Sequence, residues 1–515
     1  MKTKTAPKEA TQKVLDKDDV WVGGILPFVG MGQFAYLAPV NRKVKDLYES
    51  YCSTVQNPPK VLDHEEKIPA TSKATFYRNI FSSVECAEFW YNANASNHQL
   101  LHNKNVCQWI ARVGNLRVLQ WAREKGFLWD ERTCAAAALG GHLDVLRYAH
   151  ENGCHWDRTT CSAAAAGGHL EVLKYAHESD CPWNEWTCAG AASGGNLNVL
   201  KYARKHGCPW NETTCSNAAQ HGHLHLLKWA RENGCLWNTD TCTDAAAGGH
   251  LDVIKYAHRN GCPWDEWTCT AAARGGHLKT LQWVRENGCP WDEWTCAQAA
   301  RSGHLETLKW ARNNGCPWDE WTCSRAAQQG HLNILEWLLK NNCPWDAGTC
   351  AEAAGGGHLE VLKFAHENGC PWDKSVCCRA AEGGHLELLK WAREKGCPWD
   401  VWTCSYAAEG GQLETLKWAR ANGCPWDRRT CTYAAGDGRL DLLKWARANA
   451  CPWDGRTCSH AAAGGHLQVL KWARENGCPW DAKTCSNAAL HGHLEVLNWA
   501  KENGCPESCG SDILL

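Results

Sequence analysis

Apolar and polar positions return along most of this chain in blocks of 27 residues. In the block from Cys289 to Gly315, Cys296, Ala299 and Ala300 stand at i, i+3 and i+4, the spacing of a thin buried stripe on a short helix. Leu305, Leu308, Trp310 and Ala311 give a second helical face, with Glu306, Lys309 and Arg312 on its solvated side. Pro290 requires an extended predecessor, which places Cys289 in a turn between blocks. Asp292 stands where an N-cap carboxylate accepts from the free amides of a helix over about Glu293 to Ser302. Gly303 breaks that helix, the next begins near His304, and Gly315 suits the left-handed residue beyond its end. Each block therefore reads as two antiparallel helices. A unit this small cannot bury both faces alone, so consecutive units must stack.

Counting positions from the opening cysteine, position one is Cys from Cys154 to Cys505, with Phe127 one step earlier. Position eight is Cys from Cys107 to Cys485 without a break. These two ladders account for most of the 33 cysteines. Tryptophan fills position three from Trp129 to Trp480, and often position twenty-two, as at Trp310 and Trp472. It fills position six at Trp186, Trp267, Trp294, Trp321 and Trp402. Position four is Asp or Asn from Asp130 to Asp481, as a capping role requires and acid–base work does not, since Asn caps but cannot titrate.

The recurring T-C-x-x-A-A-x-x-G-H-L-x-x-L-x-W-A-x-x-N-G-C resembles the ankyrin repeat, through Thr295, Ala299, Ala300, Gly303, His304, Leu305, Leu308 and Gly315. The resemblance runs over residues 100–504 and implies an all-α, ankyrin-like helical-repeat solenoid of about fifteen helix–turn–helix units. The unit is shorter than the roughly 33 residues usual in that family. Cys296 replaces the motif proline and the hairpin between units is cut back, so partner binding is expected on the first helices rather than on a projecting β-finger.

Ahead of the repeats, residues 1–16 read as a disordered tail and 53–74 as a linker, with 75–99 a degenerate capping repeat. Residues 17–52 form a small helical module. Its L-A-P-V-N-R-K-V-K-D-L segment resembles an F-box, with Val44 in place of the usual Trp. That resemblance implies docking onto the adaptor of a cullin–RING ubiquitin ligase. The alternative is a helical cap on the first repeat. Residues 505–515 read as a C-terminal tail.

A net charge of -2 supplies no basic field for nucleic acid. No apolar run is long enough to span a membrane, and the Lys-rich opening is not a secretory signal. The cysteines are then expected as free thiols in cytoplasm or nucleus. Cys289, Cys296 and His304 would suit zinc if they converged. The histidine position, however, holds Asn115, Asn196, Gln412 and Arg439 in other units, and Phe127 takes a cysteine position. Buried structural thiols, a histidine bonded to backbone, no metal, no cofactor and no catalytic role are the expectation.

Variation is concentrated at position ten: Asn217, Asp244, Gln298, Arg325, Glu352, Arg379, Tyr406, Tyr433, His460 and Asn487, with Ala or Gly earlier in the chain. Positions six, ten and thirteen share one helical face opposite the buried Cys and Ala. A non-enzymatic, monomeric scaffold binding a protein partner along this face is the expected function. The position-six tryptophans are either interface anchors or packed on neighbouring turns.

Overall fold

The computed structural model describes residues 104–506, together with Phe81–Val84, Ala87, Glu88 and Tyr91. The readings for 1–16, 17–52, 53–74 and 507–515 lie outside the described residues. Among the described residues there are thirty helices and no strand, from Asn105–Val113 to Leu494–Glu502. Contacts divide the chain into two units, one ending at Thr241 and the other starting at Cys242. Each is an ankyrin-like all-α solenoid of stacked helix pairs.

The repeat opening at Cys289 shows why these residues fold this way. Its helices are Glu293–Arg301 and Leu305–Asn313. Asp292 is extended, with φ -135°, and its carboxylate accepts from the Trp294 amide at 3.1 Å. Asn184 caps the corresponding helix of the first unit by accepting from the Trp186 amide at 3.2 Å. Between helices the chain turns through glycine. Gly276 has φ +70°, and a Cβ there would sit 2.5 Å from His304 Nδ1, so both conformation and space exclude a side chain.

Within each unit the first helices pack far more closely on their successors than the second helices do. Cysteine and alanine make that approach feasible: Cys296, Ala299 and Ala300 are fully buried. The closely spaced layer must be the inner arc of such a stack, so the first helices carry its inner face.

Three kinds of polar link recur between successive repeats within a unit, though not at every junction. The position-one thiol donates to the position-four carbonyl 24 residues earlier, as Cys181 to Asp157 and Cys289 to Asp265, both at 3.3 Å. The histidine ring bonds a carbonyl 30 residues earlier, as His331 Nε2 to Arg301 at 3.1 Å and His169 Nε2 to Leu139 at 3.2 Å. Asn196 reproduces that link to Ala166 at 3.2 Å, whereas Gln412 turns to Gly410 in its own turn at 2.9 Å. The third link joins hydroxyls: Thr295 meets Thr270 at 3.1 Å and Thr349 meets Ser324 at 3.3 Å. The buried threonine hydroxyl has no partner where the preceding position nine is alanine, as Ala297 before Thr322, and also where the position-nine hydroxyl bonds its own helix instead, as Ser405 does to the Val401 carbonyl before Thr430.

The cysteines are buried thiols. Burial pushes Cys107 up to about 12. The hydrogen bond from Cys404 to Cys424, and then burial, raise Cys404 far above the usual thiol range.

The position-three tryptophans are only half-buried. Trp291 meets Trp310 edge-on, with centroids 5.9 Å apart, and the Arg285 guanidinium lies 4.4 Å over its ring. Arg312, expected on a solvated face, is likewise tied down. It stacks 4.1 Å over Trp318 and donates to the Cys316 carbonyl at 3.2 Å. The planar guanidinium covers an indole that a thin two-helix layer cannot enclose.

Candidate partner-binding face

Position six is the second residue of the first helix, and its amide donates to the capping side chain of position four. Trp186, Trp267 and Trp321 are 55%, 54% and 47% exposed. Trp294 and Trp402 are half-buried. Position six is thus exposed in some repeats and packed in others. Trp402 has Tyr406 stacked on it, with centroids 5.7 Å apart, and Arg429 of the next repeat 4.2 Å over its ring.

Position ten behaves less uniformly than its sequence variation suggests. Asn217 Nδ2 donates to the Ala189 carbonyl at 3.2 Å, and Asn487 Nδ2 to the Ser459 carbonyl at 3.1 Å. These two residues join repeats rather than offering free polar groups. Exposed His460 bonds the Arg456 carbonyl of its own helix at 2.9 Å. Asp244, Gln298 and Tyr433 are half-buried. Arg325, Glu352 and Arg379 belong to one network. Arg325 donates to Gln328 at 3.1 Å, Gln328 to Glu352 at 2.7 Å, and Arg379 to Glu352 at 3.4 Å and Glu382 at 3.0 Å.

The first helices Lys374–Glu382 and Val401–Glu409 lie side by side on this face. An open groove of about 410 Å³ lies there, lined by Asp373, Lys374, Ser375, Cys378, Arg379, Glu382, Trp402 and Tyr406. Ser375 stands where four earlier repeats have tryptophan, and its small side chain leaves the groove open. Sequence reasoning named Arg379, Trp402 and Tyr406 but missed Lys374, Ser375 and Cys378. The signal was present, since this first helix alone reads K-S-V-C-C-R instead of E-W-T-C-A-Q or a near variant.

The groove's charges are already paired: Lys374 to Asp400 at 2.8 Å and Arg379 to Glu352 and Glu382. Burial pushes the Cys378 thiol up to about 11, so it is no thiolate nucleophile at neutral pH. Beside the groove, Glu409 is raised by burial and then by the Glu382 and Asp437 carboxylates. An aromatic wall with a rim of paired charges suits recognition of a polypeptide side chain. Among the described residues no three His, Cys, Asp or Glu side chains converge as a metal ion would need.

A family model described as ankyrin repeats (many copies) matches residues 133–177 and 296–339. The chain carries ankyrin repeats. Of solved structures similar to this ankyrin repeat protein, the human ASB11 ankyrin repeat domain is 19% identical, over 30% of this chain and 84% of that one, with a TM-score of 0.27. The maize pentatricopeptide repeat protein PPR10 is 12% identical, over 98% of this chain and 92% of that one, with a TM-score of 0.28. No curated protein matches the chain. No helix of the described residues is long and apolar enough to cross a membrane.

Proposed function

We propose that this ankyrin repeat protein is a non-enzymatic scaffold that holds an extended segment of a protein partner against its first helices. Ankyrin repeats are protein-interaction modules. The observation that carries the reading is the placement of large aromatic side chains, exposed or lining a groove, on the inner helix layer while the framework beneath them stays constant. Aromatic and arginine side chains on such a face are typical interface anchors. Trp402, Tyr406 and Arg379 are the anchors we assign in the groove, with Tyr433 beside them.

The test places a photo-crosslinking amino acid in the full chain at Tyr433 on the first helix, or at Lys444 on the second. Crosslinks to one partner from Tyr433 and not from Lys444 support the reading. The reverse places the partner on the outer helices and ends it.

Asn115 Nδ2 donates to the Ser82 carbonyl at 2.8 Å and Trp121 Nε1 to Glu88 at 3.1 Å, which supports reading 75–99 as the cap of the first repeat. Service as the substrate-recruiting arm of a ubiquitin ligase rests on residues 17–52 alone. Capture of an adaptor subunit by the full chain, lost on deleting 17–52, is its test.

A further inference from the structure

In the second unit, three successive repeats start their first helices with a glutamate followed by a tryptophan: Glu266–Trp267, Glu293–Trp294 and Glu320–Trp321. The glutamates are exposed, and among the described residues no cation pairs with them. Trp267 and Trp321 are among the most exposed large apolar side chains of the described residues.

The repeat after Trp321 has Gly348 at position six. The atoms nearest a Cβ added there belong to the Asp346 carboxylate, at 2.9–3.5 Å, and that side chain can turn aside, so no ring or guanidinium of the next repeat crowds this place. Further along, the same two positions are Trp402 and Arg429, and there the guanidinium lies 4.2 Å over the indole. The chain thus holds an occupied and an open copy of one arrangement. Arg325, four residues after Trp321, lies 5.4 Å over its ring. Tyr406 has the same relation to Trp402 and coexists with Arg429 there, so Arg325 does not fill the open place.

The local field has the matching sign. Asp292 is raised by burial and then by Glu293 and Glu266. Asp319 is raised by burial and then by Glu320 and Glu293. Uncompensated carboxylates line the strip.

We infer that Glu266, Trp267, Glu293, Trp294, Glu320 and Trp321 form a docking strip for an extended, arginine-bearing segment of a protein partner, one of whose guanidinium groups takes over Trp321 the place that Arg429 takes over Trp402. This rests on the partner lying along the first helices. Packed helix axes are about 8–10 Å apart, and an extended polyproline II segment, which returns to one face every third residue, advances about 3.1 Å per residue. A cation at every third residue therefore meets one repeat after another.

The probe is a labelled synthetic peptide with three arginines at every third position in a Gly/Ser background. Its companion has glutamate at those places. The full chain should bind the arginine peptide, more weakly as salt rises, and not the glutamate peptide. Trp321→Ala should weaken binding about fivefold, as loss of one cation–π contact implies. Gly348→Arg should fill the place from within and weaken binding at least as much. It needs only that Asp346 adopt the geometry of its counterparts, which cap the amide two residues on. Unchanged circular dichroism and melting keep both variants interpretable. Equal binding of the two peptides, no binding of either, or full binding by Gly348→Arg overturns the strip. Crosslinking at Tyr433 reads the inner-face assignment separately, so either can fail while the other stands.

Discussion

The first helices of the repeats opening at Cys316 and Cys397 share a cap, a buried cysteine, two buried alanines and a tryptophan at position six. Asp319 accepts from the Trp321 amide at 3.1 Å and Asp400 from the Trp402 amide at 3.0 Å. Yet Trp321 is exposed and Trp402 is half-buried under Arg429 and Tyr406. The difference comes from what the next repeat places beside the ring: Gly348 in one case, Arg429 in the other. The framework fixes where a position-six side chain stands, and the neighbouring repeat decides whether it is left exposed or packed.

The strongest test of a shared framework is to overpack it in both places. Ala299→Leu and Ala407→Leu should each cost about 1–3 kcal/mol, because both alanines are fully buried where first helices meet. Chemical denaturation that spared one of them would show that the two regions do not share a register. The tryptophans should then separate the regions. Trp402→Ala should cost about 1–2 kcal/mol through its lost ring and guanidinium contacts. Trp321→Ala should stay within about 0.5 kcal/mol. Equal losses would remove the distinction drawn here.

Next in size, Asp319→Ala and Asp400→Ala should each lose about 1 kcal/mol as a helix cap is removed. The midpoints of urea melts report both. The smallest effect concerns pH. The folded chain raises the Asp319 carboxyl through burial and then Glu320 and Glu293. Above the ordinary carboxylate pKa of about 3.9, the native state therefore binds more protons here than the unfolded chain. Stability from this group is present at low pH and falls as pH rises through that window. Glu320→Gln should lower the Asp319 pKa and flatten the slope, as carboxyl titration by NMR would register. An unmoved Asp319 would mean that burial alone sets it.

The helix pairs, caps and buried thiols were legible because each depends on residues within one 27-residue period, repeated until chance was excluded. Asp292 as a cap needs only its own next turn. What was not legible depends on residues a full repeat away. Nothing within its own repeat says that Arg312 covers Trp318, that Asn217 bonds the Ala189 carbonyl, or that Ser375 opens a groove beside Trp402. Arg312 is exposed as its solvated-face reading expects, but the indole it covers was missed because helical periodicity sees one helix and that indole belongs to the next repeat.

The position-one thiol links and the histidine links run one way, each copy bonding a carbonyl of the copy before it. His331 bonds the Arg301 carbonyl, and Arg274 stands one period earlier at the equivalent place. Excising one whole period between them would leave His331 facing an arginine carbonyl in the same geometry. Genetic duplication or loss of a copy can therefore lengthen or shorten the chain without redesigning any junction. The same event would shift every exposed tryptophan by one step relative to its neighbours. Such a chain can change what it recognises by recombination, while its folding instructions pass through intact.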